Sequence, residues 1–266
     1  MDKKKRVKLV INNTDKSQRI AKKVKEQLLA KEFEIVEEDY GLAISIGGDG
    51  AFLRMVKETG FNENVLYVGV NAGTLGFSQD IEEQEIPSFI ESLEKEDYNY
   101  EEIGIAEATI NTTDFVDHFF YLNELIVRDA ELKTTRLEVC VDKVLLENYV
   151  GDGLLVSTSF GSTAYNLSFG GSIVYNTFHS LQLTPIAPLN NKSYRNLINS
   201  VVIPAEKTIQ IKPRQDEMNK IITIDGDNHY YNNLLDINIS IGDRKIRLIR
   251  KKDYNFIQKV NDKFLK

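Results

Sequence analysis

A glycine-rich turn with one carboxylate is the first segment whose residues could perform chemistry. Residues 47–50 (GGDG) follow the apolar run 42–46, and the apolar residues after them recur at helical spacing. Glycines between a buried strand and a helix let the backbone approach phosphate, which the N–H groups of the helix start attract. A carboxylate repels phosphate, so Asp49 is suited to accept a hydroxyl proton or to hold a metal ion. A tight turn with a helix N-cap is the alternative interpretation.

Two further segments place polar residues at the ends or in the middle of apolar runs. Residues 71–77 (NAGTLGF) follow the run 65–70, and ligands of open α/β sheets bind at this carboxyl edge. A plain strand-to-helix loop is the alternative there. Asn123 and Glu124 interrupt the apolar run 119–128, which predicts one long strand. Buried polar groups need partners, and either a ligand or a structural pair would supply them.

The densest polar segment lies in the second half of the chain. Residues 151–153 (GDG) precede residues 157–168 (STSFGSTAYNLS), which contain five hydroxyl side chains between residues 157 and 163. An N-cap explains one of these hydroxyls. A strand that runs into a loop rich in hydroxyls and glycines, and then into a short helix, is suited to bind a polar heterocycle or a phosphate.

Strands and helices alternate in the first hundred residues. Apolar runs predict strands at 7–11, 42–46 and 65–70, and spacing of three and four predicts helices at 15–31, after residue 50, and at 81–93. Such alternation predicts parallel βαβ units.

Close-set strands follow from about residue 103, with one helix near 162–169 and another at 254–265. The predicted strands are 105–110, 119–128, 136–141, 145–150, 154–157, 200–203, 208–211, 221–224, 236–241 and 244–249. We therefore expect an N-terminal Rossmann-like α/β domain (1–103), a β-rich domain (104–250), and a C-terminal helix (251–266) that packs back on the N-terminal domain.

Composition narrows the classes of function. The net charge of −7 disfavours a general nucleic-acid binder. Cys140 is the one cysteine, which excludes an intrachain disulfide and a thiolate metal cluster. The sequence shows neither a signal peptide nor an apolar stretch of about 18 residues, so a cytoplasmic protein without membrane contact is expected.

The four polar segments, in this order and at these separations, resemble the NAD kinase family. The likeness covers roughly residues 40–230, and residues 161–165 (GSTAY) combined with Asn123 and Glu124 are its most specific part. The resemblance implies the fold of NAD and diacylglycerol kinases. It also implies transfer of the terminal phosphoryl group of ATP, or of polyphosphate, to the 2'-hydroxyl of the adenosine ribose of NAD, which gives NADP.

The resemblance also implies roles for individual residues. Asp49 would be the general base. The expected contacts with the substrates NAD and ATP are Gly50, Arg54, Phe77, Asn123, Glu124, Asp152, Ser159, Thr163, Ala164, Tyr165, Ser168, Ala187 and Asp227. Mg²⁺ or another divalent cation would be bound mainly through the phosphate donor, so no residue is predicted as a metal ligand. A homodimer or homotetramer is expected by analogy.

The chain departs from the family pattern at Ala51, Phe160 and Asp227, positions that bear on donor preference and on NAD contacts. Two rival functions share the scaffold: a lipid kinase of the diacylglycerol or sphingosine type, which also carries GGDG, and a non-catalytic dinucleotide sensor. The sequence lacks the glycine motifs of a Rossmann dehydrogenase and of a P-loop kinase. The three isolated histidines, His118, His179 and His229, lack the spacing of a metallohydrolase.

Overall fold

A computed structural model describes residues 3–73 and 76–266 of the chain. The chain divides into two compact units. The first unit comprises Met1–Ile103 and Lys245–Lys266, and the second unit comprises Gly104–Arg244. Two strands, Asn99–Thr112 and Leu234–Arg250, contain the unit boundaries.

The first unit is an α/β unit built on a parallel sheet. Its elements are β1 (Arg6–Ile11), α1 (Asp15–Ala30), β2 (Glu34–Ile35), β3 (Leu42–Gly47), α2 (Asp49–Glu58), β4 (Leu66–Asn71), α3 (Ile86–Glu94), the start of β5 (Asn99–Thr112), the end of β16 (Leu234–Arg250) and α5 (Phe256–Phe264). The strand order is β2-β1-β3-β4-β16, and β16 joins β4 in parallel through Arg247 and Leu248.

The amphipathic stripe of α1 explains how this unit is held together. Ile20, Val24 and Leu28 are buried in one cluster with apolar residues of the strands and of α3. The side chain of Thr14 accepts a hydrogen bond from the Ser17 N–H and thereby caps the helix start. Pro87 lies in the first turn of α3, where its missing N–H costs no helical hydrogen bond.

The second unit is β-rich. Its elements are β5, β6 (Val116–Tyr121), β7 (Glu124–Asp129), β8 (Thr135–Val141), β9 (Val144–Gly151), β10 (Gly153–Thr158), α4 (Tyr165–Ser168), β11 (Ser180–Ile186), β12 (Val201–Pro204), β13 (Ile209–Pro213), β14 (Lys220–Ile224), β15 (Asp227–Tyr231) and β16. One antiparallel sheet has the order β12-β11-β10-β7-β14-β15. In a second group β9, β8, β13 and β16 are neighbours in that order, and β5 pairs with β6 and β16. Alternate residues of both groups form one buried core.

The structure confirms the fold class, an α/β unit and a β-rich unit, but corrects several predicted elements. The predicted strand 119–128 is two strands, β6 and β7, separated at Leu122 and Asn123. The predicted strands 236–241 and 244–249 are one strand, β16, and the helix predicted from residue 81 begins at Ile86. Among the described residues, no helix is both long and apolar enough to span a membrane.

Candidate functional site

Asp49 is the first residue of α2, directly after the N-cap Gly48. Its carboxylate accepts two backbone hydrogen bonds from the segment behind β4: Oδ1 from the Ser78 N–H at 2.9 Å and Oδ2 from the Phe77 N–H at 3.1 Å. A Cβ on Gly76 would overlap this carboxylate. Glycine at position 76 therefore lets the loop close around Asp49, whose side chain keeps 35% of its surface exposed.

The remaining residues of the GGDG turn leave space around the start of α2. A Cβ at Gly48 or Gly50 would meet no atom within 4 Å, whereas one at Gly47 would lie 2.7 Å from the Cβ of Ala51. Gly50 is exposed and Ala51 is buried. An open helix start with glycines on it is an arrangement that anions can approach.

The predicted contact Arg54 and the first residue of the polar segment 71–77, Asn71, have clear positions in the first unit. Arg54 Nη2 donates to the Ile11 carbonyl at 2.9 Å, so its guanidinium lies at the carboxyl end of β1. The Asn71 side chain accepts from the Gly73 N–H at 2.9 Å and donates to Glu82 at 2.9 Å. Thr74 and Leu75 of the predicted loop lie outside the described residues.

Phe77 is buried against the C-terminal helix. Its ring centroid lies 5.5 Å from that of Phe264 and 6.1 Å from that of Phe256. The ammonium of Lys263 lies 4.9 Å from the Phe77 ring centroid and 3.3 Å from Asp49 Oδ2. Lys263 was not among the predicted contacts, because nothing local to residue 263 indicates a partner 214 residues away.

A buried ionic cluster fixes the same segment. The Asp80 carboxylate pairs with both Arg250 and Lys259, and Arg250 also binds Glu101 at 2.7 Å and the Phe77 carbonyl at 3.3 Å. Burial raises the pKa of the Asp80 carboxyl, but the charges of Arg250 and Lys259 outweigh it and leave that pKa below its ordinary value. Asp80 is therefore ionised at neutral pH.

In the second unit, one carboxylate shapes the segment that carries Asn123 and Glu124. Asp225 accepts the backbone N–H of Leu122 on Oδ2 at 2.8 Å, and those of Asn123 and Glu124 on Oδ1 at 2.7 and 3.2 Å. These bonds replace ladder hydrogen bonds and explain why the chain breaks between β6 and β7. Asp227 was a predicted contact and Asp225 was not; the signal in the sequence was the Asp225–Gly226 pair, typical of a turn, in which Asp225 adopts a positive φ of 46°.

A buried phenol lies beside this segment. Tyr121 is fully buried, and burial, followed by the charges of Asp225 and Glu124, raises its pKa well above the ordinary value. The phenol is therefore neutral at neutral pH.

The hydroxyl-rich loop uses four of its five hydroxyls on the backbone around it. Ser157 and Thr158 donate to the carbonyls of Asn123 and Leu122, Ser159 donates to the Phe178 carbonyl, and Ser162 donates to the Val174 carbonyl. Hydrogen bonds to the backbone thus account for four of the five hydroxyls, whereas an N-cap would account for one. Thr163, the fifth, is buried at the end of the helical turn Phe160–Thr163.

The loop and the Asn123 segment are close neighbours. The Thr158 N–H donates to the Asn123 carbonyl at 2.9 Å, and Ser157 is the register partner of Glu124. A Cβ on Gly161 would overlap the Asn123 backbone. Asn123, Glu124, Ser159 and Thr163 therefore belong to one cluster, and Ala164, Tyr165 and Ser168 follow it, with Tyr165 and Ser168 exposed.

Asp152 and Ala187 form a neighbouring pair. Asp152 is exposed, and its N–H donates to the Ile186 carbonyl at 3.0 Å. The flanking glycines are required by close packing, because a Cβ on Gly151 would meet the Tyr149 hydroxyl and the Ala187 carbonyl. Ala187 is exposed in the left-handed region, at φ 46°. Asp227, also exposed, begins β15.

Two family models match the chain. The ATP-NAD kinase N-terminal domain matches residues 2–98, and the ATP-NAD kinase C-terminal domain matches residues 122–251. Among similar proteins, an NAD kinase of Finegoldia magna is 37% identical over 97% of each chain. An NAD kinase of Streptococcus agalactiae is 35% identical over 99% of this chain and 97% of its own.

Two solved structures share the fold. Yeast NADH kinase complexed with NADH superposes with a TM-score of 0.85 at 19% identity, covering 97% of this chain and 86% of that chain. An NAD kinase from Archaeoglobus fulgidus in complex with ATP superposes with a TM-score of 0.79 at 22% identity, covering 96% and 98%. At these identities the likeness concerns the fold.

Proposed function

The chain belongs to the NAD kinase family, and we infer that it is an ATP-dependent NAD kinase. Both family domains match in chain order and together span most of the sequence. Within the first unit, the observation that carries the chemistry is the Asp49 carboxylate, which two backbone amides hold at the open start of α2.

We propose that Asp49 is the general base for the 2'-hydroxyl of the adenosine ribose. The ribose oxygen would form a bond to the terminal phosphorus of ATP while the bond from that phosphorus to the ADP oxygen breaks. The hydroxyl proton would pass to Asp49. Oδ1 has two lone pairs and accepts one hydrogen bond, from the Ser78 N–H, so it keeps accepting capacity for the proton. In a loose transition state the hydroxyl loses its proton late, so a weak base such as a carboxylate is sufficient.

The predicted NAD contacts of the second unit are proposals with different degrees of structural support. Asp152, Tyr165, Ser168, Ala187 and Asp227 are exposed, so a ligand can reach them. Asn123, Glu124, Ser159 and Thr163 are buried in the cluster described above, where Asn123 and Glu124 present an amide and a carboxylate that can bind hydroxyl or amide groups of a dinucleotide. In the first unit, Gly50 is proposed to meet the phosphates, Arg54 to reach one of them, and Phe77 to flank the adenine.

The divalent cation is proposed to arrive with the phosphate donor. Within residues 3–73 and 76–266, no three His, Cys, Asp or Glu side chains are grouped so that they could hold a metal ion. Mg²⁺ commonly keeps several waters and binds substrate phosphates with one or two carboxylates, a mode that needs no protein cage. Bound in this way, the cation would supply charge neutralisation at the phosphates. Polyphosphate as an alternative donor is part of the same proposal.

A homodimer or homotetramer in the cytoplasm is also proposed. The second unit exposes Ile173, Tyr175, Phe178 and Val202 around one groove, and grouped apolar side chains of this kind mark surfaces that are suited to contact another chain. Sedimentation of the purified protein measures its oligomeric state.

A coupled assay tests the activity and its base together. Purified protein, Mg-ATP and NAD are incubated, and an NADP-specific dehydrogenase reads the product. Wild-type protein should form NADP, and Asp49→Asn should lose several orders of magnitude in kcat while it still binds NAD, because the amide keeps the shape but not the basicity. Near-normal turnover of Asp49→Asn would refute the base assignment.

The same assay separates the rival functions. Absence of NADP with ATP, polyphosphate or NADH would refute the kinase assignment, and diacylglycerol or sphingosine would then be tested as acceptors. Binding of NAD without turnover would instead indicate a sensor.

A further inference from the structure

The C-terminal helix brings a cation to the candidate base. Lys263, in the last turn of α5, places its ammonium 3.3 Å from Asp49 Oδ2 and 4.9 Å from the Phe77 ring centroid. Oδ2 is the oxygen that also accepts the Phe77 N–H. Both Asp49 and Lys263 belong to the first unit, and their side chains keep 35% and 26% of their surfaces exposed.

The rest of α5 fixes where this ammonium lies. Lys259, four residues earlier on the same helix face, is buried and binds both the Asp80 carboxylate and the Gln79 carbonyl. Phe256 and Phe264 pack on the Phe77 ring from the same helix. The helix is thus attached to residues 77–80, the segment whose first two amides hold the Asp49 carboxylate.

The proposed reaction gives the Lys263 ammonium an electrostatic role. The phosphate donor is an anion that must come close to a second anion, Asp49, and the Lys263 ammonium beside Asp49 reduces that repulsion. A lysine ammonium has three N–H donors, so the contact with Oδ2 leaves two for other acceptors. Partial exposure leaves the group open to an incoming ligand.

We propose that Lys263 is a positioning residue for phosphoryl transfer, which holds the Asp49 carboxylate in place and offsets its charge as the phosphate donor approaches. This inference rests on the proposed function. It assigns the terminal helix a direct part in turnover that the motifs of the sequence do not reveal.

Stability and turnover separate this role from a merely structural one. Partly exposed ion pairs contribute little to folding stability, so loss of Lys263 leaves the fold nearly as stable. Misplacement of a reacting group by about 1 Å can cost on the order of 100-fold in rate. Lys263→Met should therefore lower kcat by about 10- to 100-fold, with little change in the KM for NAD or in Tm.

Three further variants make the test specific. Lys263→Arg keeps the positive charge and should retain most of the turnover. Lys263→Ala should regain activity when propylammonium is added, since the small cation can occupy the vacated space beside Asp49. Lys266→Met is the matched control, because Lys266 is a lysine of the same terminus that pairs with Asp262 at 2.6 Å, and it should keep the wild-type kcat.

The two proposals fail in different ways. Wild-type kcat in Lys263→Met would overturn the inference while the NAD kinase assignment stands. A kcat that falls only in step with Tm, with no rescue by Arg or by propylammonium, would also overturn it, because it would reveal a structural role. Absence of NADP from the wild-type protein would overturn the proposed function and the inference with it.

Discussion

Asp225 shapes the segment that carries Asn123 and Glu124, although its own side chain is not among the predicted contacts. Two carboxylate oxygens accept three consecutive backbone N–H groups, at 2.7, 2.8 and 3.2 Å. Leu122 and Asn123 lie between β6 and β7 and Glu124 begins β7, so the carboxylate binds the backbone at the place where one strand ends and the next begins. Residue 225 thus determines how an amide and a carboxylate, the Asn123 and Glu124 side chains, are presented.

Replacement of Asp225 by asparagine should therefore impair NAD binding. An amide side chain has one acceptor oxygen and one donor group, so at least one of the three amides loses its partner. An unsatisfied buried group costs about 1–3 kcal/mol of unfolding free energy. We expect Asp225→Asn to show that loss in urea unfolding and to raise the KM for NAD more than it lowers kcat. Asp216→Asn, at an exposed aspartate of the same unit, should change neither quantity; an unaltered KM in Asp225→Asn would contradict the role.

At the scale of elements, α5 depends on a buried carboxylate of another segment. Asp80 pairs with Arg250, which ends β16, and with Lys259 on α5, and all three side chains are buried. Removal of one partner from a buried ionic cluster leaves uncompensated charge. Asp80→Asn should therefore lower the free energy of unfolding by about 3–5 kcal/mol and loosen the attachment of α5.

The pKa of Asp80 gives this cluster a pH dependence. Arg250 and Lys259 hold the folded-state pKa below the ordinary value of 3.8, despite the opposing effect of burial. The carboxyl thus binds its proton more weakly when folded, so its stabilisation is complete above the ordinary value and is lost as pH falls through the folded-state pKa. Urea unfolding between pH 7 and pH 3 should show a steeper loss in the wild type than in Asp80→Asn. Equal slopes would contradict this assignment.

Elements defined by local pattern were predicted well from the sequence. The strand β3, the GGDG turn and the helix α2 are adjacent in the chain, so apolar periodicity and glycine placement were sufficient. The break after Tyr121 was not predictable in this way, because Asp225 causes it from about a hundred residues away. The strand β11 was not among the predicted strands, and it contains Pro185, a residue type that disfavours a strand. The structure tolerates Pro185 because the pairing with β12 stops at Leu183, which leaves that edge free.

The candidate site shows the same division between local and distant information. Asp49 and the hydroxyl-rich loop were singled out because they carry a compact motif. Lys263 was not, since a lysine near a chain terminus resembles any solvated residue until the fold brings it to Asp49. Four hydroxyls that suggested a ligand bind the backbone instead, a use that residue type alone cannot distinguish from binding.

At the scale of the whole molecule, NAD binding and turnover should depend on different residues, so that a variant can lose one and keep the other. A ligand that binds the folded state at 100 times its Kd adds about 2.7 kcal/mol to the free energy of unfolding. NAD at that concentration should raise the Tm of the wild type by about 5 °C or more, given the usual entropy of unfolding for a chain of this size. Asp49→Asn should show the same shift, because the proposed base acts on the bound substrate.

Asn123→Ala should show a smaller shift at the same NAD concentration, because it removes a proposed contact. A diacylglycerol should leave Tm unchanged in all three proteins. An NAD shift absent from the wild type would count against NAD as substrate, and an equal shift in Asn123→Ala would remove that residue from the binding set.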